Sequence, residues 1–403
     1  MIKSILDTDL YKLSQSFAYF SLYPLAEGTF KFHDRNQESW NRKDFDFLSL
    51  MKRELSQLQY LHFTETEKQW CIEHIPYIPK TYWEWLTTFR FEPEKINCWL
   101  DENGVFQCEV TDNMHKVTFY EIAILATYSE LRNYLLNMYE NHNYNEGEAL
   151  QIFREKIKFA NENNLPFAEF GTRRRYSSDL HDKICRIIKE ESKTCNSTSN
   201  VYLAMKYDLI PTGTMAHEWI MFHAGCFGYK RANYLAMEDW IKVYQGDLGT
   251  ALIDTYTTNS FLRTLTRQQA LLLQGLRQDS GDEIEVGEKI IARYKEFRID
   301  PTTKLIVFSN ALDFEKALRV MNYFKGKIKT GFGIGTFITC DPGIVDFVHP
   351  NVVMKLSRCR MSPKDPWEDV IKVSDDFGKQ MGLKKEFEIA VYQLNLDDSR
   401  TKE

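Results

Sequence analysis

No apolar run in the chain approaches the roughly 18 residues that a membrane-spanning helix needs, so no span is expected. The opening residues, MIKSILDTDLYKLSQ, also lack the apolar core of a secretory leader. There is no Gly/Ser linker, no low-complexity tract and no short-period repeat. Excess positive charge is missing too: the net charge is −6 and the pI about 5.9. That balance argues against a nucleic-acid binder, which normally carries a basic face. It still allows an anionic small ligand, because a local arginine cluster overrides the global sign. None of the eight cysteines forms a Cys-x-x-Cys pair or stands with histidine at zinc-ligand spacing. Reduced, mostly buried thiols in a cytoplasmic protein are the expectation.

What the chain does have is ordinary for a folded protein, with 43% apolar and 27% charged residues. Aromatics reach 14%, enough to pack a core and to line a site for a flat ligand. At 403 residues the chain exceeds what one hydrophobic core usually serves, and two domains are expected.

The first 125 or so residues read as mixed. Thr29 to His33 has strand character, and 45–57 and 65–74 are helical. Residues 96–110, with Asn103-Gly104 at the turn, read as a hairpin. Residues 119–138 have helical periodicity. From about residue 145 amphipathic helices alternate with short apolar strands, each strand ending in a polar or glycine-bearing loop. The strands are 166–170, 251–253, 275–277, 305–308, 328–330 and 352–355, with helices over 146–163, 178–190, 286–297 and 313–323. Such units imply a parallel sheet, and about seven strands favour a barrel with its chemistry on loops at the strands' carboxyl ends.

Polar motifs fall at those ends. Phe170-Gly171-Thr172-Arg173-Arg174-Arg175 follows a strand. Three successive arginines are either a solvated run or a fan of guanidiniums around a multiply charged anion. Gly333, Gly335 and Thr336 form a glycine-bearing turn that either brings backbone N–H groups to a phosphate or simply turns the chain. Ser309-Asn310, at the preceding strand end, suits the same phosphate. Asp279-Ser280-Gly281-Asp282, with Arg277 just upstream, either meets sugar hydroxyls or Mg²⁺, or caps the next helix. His217, beside Glu218 in an apolar stretch, is either a satisfied core histidine or a phosphoryl acceptor. His223 competes with it, but the two do not share a helix face. Asp7 to Lys12 and Asp254-Thr255-Tyr256 read as a cap and a turn that are compatible with ligand contact.

In order along the chain, DTDLYKLSQ (7–15), FGTRRR (170–175), TSNVYLA (198–204), PTGTMAHEWIM (211–221), LIDTY (252–256), GLRQDSGD (275–282), SNALD (309–313), FGIGT (332–336) and VVMKLS (352–357) resemble the bacterial type of nicotinate phosphoribosyltransferase. They span nearly the whole chain. The resemblance implies an irregular α/β barrel of the type II phosphoribosyltransferase kind with a smaller mixed α+β domain. The expected limits are 1–128 for the smaller domain and 129–360 for the barrel, with 361–403 packing back on the first domain. It implies that nicotinate and 5-phosphoribosyl-1-pyrophosphate give nicotinate mononucleotide and pyrophosphate, with ATP hydrolysis and Mg²⁺, in a cytoplasmic homodimer with shared active sites.

By the same resemblance His217 is phosphorylated by ATP. Phe170, with Tyr11 from a partner subunit, sandwiches the pyridine ring. Arg173 or Arg277 faces the nicotinate carboxylate, and Thr172 joins the substrate contacts. Asp279 and Asp282 meet the ribose or the metal. Ser309, Asn310, Gly333, Gly335 and Thr336 hold the 5′-phosphate. Three positions depart from the family's pattern: Ser197 stands for a usual Gly, His181 for a frequent Gln and Cys340 for a usual Asn.

Overall fold

The computed structural model describes residues 1–140, 143–376 and 382–396. Seven short strands form one all-parallel sheet. Their order across it is Ile210–Pro211, Ser197–Thr198, Ala168–Glu169, Lys329–Ile334, Leu305–Phe308, Gly275–Gln278 and Thr250–Leu252. Helices connect them, as parallel pairing requires. The sheet curls into a half-barrel whose two edge strands do not pair. The Thr214 hydroxyl spans that opening by donating to the Thr250 carbonyl at 2.7 Å.

The expected helices recur within a few residues of their expected limits, as Glu146–Glu162, Ser178–Glu191, Glu283–Glu296 and Phe314–Phe324. Several begin on a side-chain cap: Asn145, Ser177, Asp282 and Asp313 each accept a backbone N–H of the first turn.

A second sheet is antiparallel, in the order Glu368–Asp369, Val352–Arg360, Glu27–Asp34, Phe106–Asn113, Ile96–Leu100. Here the structure corrects the sequence reading. The strand beginning at Val352, expected as the last of the barrel strands, pairs antiparallel with Glu27–Asp34. The parallel strands run two to six residues, whereas this one runs nine and mixes buried with partly exposed positions in its second half. It has the length and two-faced pattern of an antiparallel partner. Tyr120–Tyr139, buried on nearly every side, packs against this strand and against the Thr172–Arg174 turn, tying the two sheets together.

Among its described residues, the segment after 361 joins the antiparallel sheet at Glu368–Asp369. Beyond that it is stitched to the loops of the parallel sheet. Val373 N–H donates to the Thr255 carbonyl at 3.0 Å, Asp375 N–H to the Ser280 hydroxyl at 3.1 Å, and Gly281 N–H to the Asp376 carboxylate at 2.8 Å. Its helix Lys384–Leu394 lies on helix Tyr229–Tyr244. Among the described residues no helix is long and apolar enough to cross a membrane.

Candidate active site

The strand-end loops surround a cavity of about 680 Å³. Arg173, His217, Arg277 and Asp279 line it together, although 106 positions separate the first from the last. Ser309, Asn310, Gly335 and Thr336 form another part of its wall, and Tyr11 and Phe170 bring two aromatic rings. Tyr11, which the resemblance takes from a partner subunit, reaches the cavity of its own chain. A second cavity of about 470 Å³ lies in the concave face of the sheet and shares Phe170, Gly213, Arg277 and Gly333 with the first.

His217 is the first residue of helix His217–Phe227 and is 3% exposed. Its Nδ1 lies 2.9 Å from Thr255 Oγ1 and its Nε2 3.2 Å from Asp279 Oδ2. Burial, then the positive charge of Lys372, push the imidazole well below its ordinary value, while Asp279 pulls the other way. The ring is therefore neutral and keeps a nucleophilic lone pair near neutral pH. Burial alone would raise Asp279. The His217 hydrogen bond and the Arg277 charge outweigh it and hold the carboxylate well below its usual range. Ser309 donates to the other oxygen of Asp279 at 2.8 Å, which fixes its orientation.

Asp254, behind Asp279, is fully buried. Ser280 donates to its Oδ2 at 2.6 Å, and Oδ1 is buried without a hydrogen-bond partner. Burial pushes its carboxyl up to about 6 despite Lys372. His217, Asp254 and Asp279 each bring one ligand atom within 4.8 Å of the others. Two carboxylates, one with an unused oxygen, fit a hard divalent cation such as Mg²⁺.

The arginine triplet divides into three jobs. Arg173 faces the cavity. Arg174 also touches it, but its Nε donates to the Val352 carbonyl at 3.0 Å and so ties the loop to the antiparallel sheet. Arg175 is 1% exposed and forms a bidentate pair with Asp7 at 2.7 and 3.1 Å. A turn of Thr172–Arg174 sends successive side chains in different directions, so Arg173 is left to the cavity, Arg174 is shared between cavity and fold, and Arg175 serves the fold.

Two expected ligand residues lie elsewhere. Thr172 is fully buried and is absent from the cavity wall, because the turn points its side chain inward. Asp282 is exposed and accepts the N–H groups of Ile284 and Glu285 at 2.9 Å, which makes it the cap of its helix. Gly333 belongs to the strand and not to the loop after it. A Cβ at Gly333 would lie 2.5 Å from the Phe170 ring, so glycine here lets that ring settle on the strand.

The cavity also holds residues that motif reading passed over. Arg35 follows strand Glu27–Asp34, Lys355 lies within Val352–Arg360, and Lys372 comes from the C-terminal segment. Lys372 Nζ stands 3.9 Å from Asp254 Oδ2. Each lysine interrupts a short apolar run, Val352 to Leu356 and Val370 to Val373, and a lone cation in such a run is the signal that could have revealed them. Arg35 carries no comparable local mark.

A curled parallel sheet with its polar groups on carboxyl-end loops, around a cavity rich in cations, defines an α/β protein built to hold an anionic ligand. The chain belongs to the nicotinate phosphoribosyltransferase family. The family model described as nicotinate phosphoribosyltransferase (NAPRTase) family matches residues 165–397, and that of its N-terminal domain matches residues 6–129. The chain is 36% identical over 387 residues to a nicotinate phosphoribosyltransferase of Desulforapulum autotrophicum, covering 96% of this chain and 97% of that one. It is 36% identical over 409 residues to one of Methanosarcina mazei, covering 97% and 98%. A crystal structure of nicotinate phosphoribosyltransferase from Porphyromonas gingivalis superposes with a TM-score of 0.94 at 40% identity, covering 98% of this chain and all of that one. One from Vibrio cholerae gives 0.89 at 28% identity, with 98% and 95% covered.

Proposed function

We propose that this chain is a nicotinate phosphoribosyltransferase that couples its reaction to ATP hydrolysis through a phosphorylated His217 and supplies nicotinate mononucleotide to NAD salvage. The observation that carries the reading is the convergence of Arg173, His217, Arg277 and Asp279 with the Gly335-Thr336 turn on one cavity.

In the first step the neutral His217 imidazole attacks the terminal phosphorus of ATP. The phosphoanhydride P–O bond breaks and ADP leaves with the electron pair. Each ring nitrogen has a partner, Thr255 or Asp279, so the nitrogen that is not phosphorylated keeps a hydrogen bond. The added charge draws in Lys372 and orders the pocket for the sugar pyrophosphate.

In the second step the nicotinate ring nitrogen bonds to ribose C1 as the bond to pyrophosphate breaks, and water then cleaves the His217 N–P bond, releasing phosphate and restoring the imidazole. Phe170 and Tyr11 bound the ring, and Arg277, whose Nε is buried without a partner, or Arg173 meets its carboxylate. Ser309, Asn310, Gly335 and Thr336 hold the 5′-phosphate. Positive character grows on the sugar, which the Asp279 carboxylate favours, and negative charge grows on pyrophosphate, which the arginines and lysines favour. Mg²⁺, held by Asp254 and Asp279, would neutralise part of that leaving charge.

The reading includes a cytoplasmic homodimer. Eight free thiols, seven of them buried, support a reducing compartment. Sedimentation of the purified protein tests the dimer. The reaction itself is tested by assaying nicotinate, nicotinamide and quinolinate with phosphoribosyl pyrophosphate, each with and without ATP. Turnover is expected with nicotinate and faster with ATP. A preference for either other ring, or indifference to ATP, would contradict the reading.

A further inference from the structure

Glu169 ends the strand that leads into the arginine loop and is fully buried. A carboxylate in that position needs its oxygens answered. One oxygen, Oε1, accepts the N–H of Gly171, and the other, Oε2, accepts the hydroxyl of Thr198 on the neighbouring strand. His181, fully buried on helix Ser178–Glu191, places Nε2 3.0 Å from the same Oε2. Burial would raise the Glu169 carboxyl, yet His181 beside it and these hydrogen bonds hold it below its usual range.

Gly171 is gripped from the other side as well. Its carbonyl accepts the Thr339 hydroxyl at 2.8 Å, and a Cβ on it would lie 2.1 Å from that same oxygen. Gly171 therefore has one attainable place. Phe170 before it rests on Gly333, and Arg173 lies two residues beyond it. Cys185, one helical turn from His181, brings its sulfur within 4.8 Å of the same ligand atoms. This trio could be read as a metal site, but both Glu169 oxygens already accept protein donors and the cluster is closed to solvent.

We propose that the buried His181–Glu169 pair is a positioning device: it fixes the Gly171 amide and thereby sets where the Phe170 ring and the Arg173 guanidinium meet the ring substrate. The inference rests on the ring-binding role given to that loop above. Neither residue touches the cavity, so both act through the loop.

His181→Leu leaves the carboxylate without the imidazole beside it. The nicotinate KM is expected to rise about tenfold while kcat at saturation changes far less, because ring binding is what suffers. His181→Gln, which restores a donor of similar reach, is expected to return most of that loss. Thr198→Val removes a different donor to the same carboxylate and is expected to shift KM in the same direction, even should His181→Leu fold poorly. Hydrogen exchange over residues 168–176 is the readout independent of substrate: faster in His181→Leu and restored in His181→Gln.

An unchanged KM with only a lower melting temperature, or no rescue by glutamine, would overturn the proposal. So would unaltered exchange in that segment, or one zinc per chain in the purified wild-type protein. A wild-type protein inert towards nicotinate would count against the functional reading alone, because the exchange comparison still decides the role of the pair.

Discussion

The parallel sheet and its strand-end loops shape the cavity with small residues, Gly333, Gly335, Thr336 and Ser309, alongside the motif residues Arg173, His217, Arg277 and Asp279. The antiparallel sheet and the C-terminal segment give it cations on long side chains, Arg35, Lys355 and Lys372. The first region can be recognised from motifs, since polar and glycine-bearing segments recur at one strand end after another. The second cannot, since a lysine in a strand reveals its purpose only when the sheet pairing is known. The shape of the site is thus encoded locally, whereas part of its positive charge arrives through tertiary structure.

The most damaging way to break the parallel-sheet side is His217→Asn. It is expected to abolish the acid-labile phosphate that the protein takes from γ-labelled ATP and to remove ATP stimulation altogether. Next, Arg173→Ala is expected to lower kcat/KM about 100- to 1,000-fold, the usual cost of one preorganised charged donor. Arg175→Met tests the division within the triplet. It strands Asp7 in the core and is expected to cost about 3–5 kcal/mol in denaturant unfolding, with its effect on stability and not on the chemistry.

The antiparallel side breaks more gently and with a pH signature. Burial pushes Lys355 down to about 7, aided by Arg173, Lys372 and Lys12 and opposed by Glu121. Only its ammonium form attracts phosphate, so the KM for phosphoribosyl pyrophosphate is expected to rise as pH climbs through about 7. Lys355→Met is expected to raise that KM at low pH and to flatten its rise. Stability runs the opposite way. A lysine held below its ordinary value costs stability fully below the folded value, and the cost fades as pH rises towards 10.5.

Smaller effects sharpen the comparison. Gly333→Ala forces the Phe170 ring off the strand and is expected to weaken nicotinate binding more than binding of the sugar pyrophosphate, as read by the two KM values. Asp282→Ala removes only a helix cap and is expected to cost about 1 kcal/mol in thermal unfolding with kcat unchanged.

Much of the fold was legible because period and punctuation agreed. Glu146–Glu162 and Phe314–Phe324 carry clear apolar stripes, and the strands at Leu305–Phe308 and Gly275–Gln278 end in turn residues. Val352–Arg360 was misassigned because an apolar run does not state its partner, and only the pairing with Glu27–Asp34 decides the sheet. Within the site, His217 and Asp279 were legible as motif residues, and the hydrogen bond between them was not. Asp282 was overread, since an aspartate at a helix start is first of all a cap. Arg35 was missed because its role depends on where the second sheet comes to rest.

The proposed reaction requires these distant segments to make one substrate site. A crystal structure with nicotinate and phosphoribosyl pyrophosphate tests it most directly. The expected density places the ring between Phe170 and Tyr11, the 5′-phosphate on the Gly335-Thr336 turn and the pyrophosphate towards Arg35, Lys355 and Lys372. Density for either ligand on another face of the molecule, with this cavity left to solvent, would contradict it.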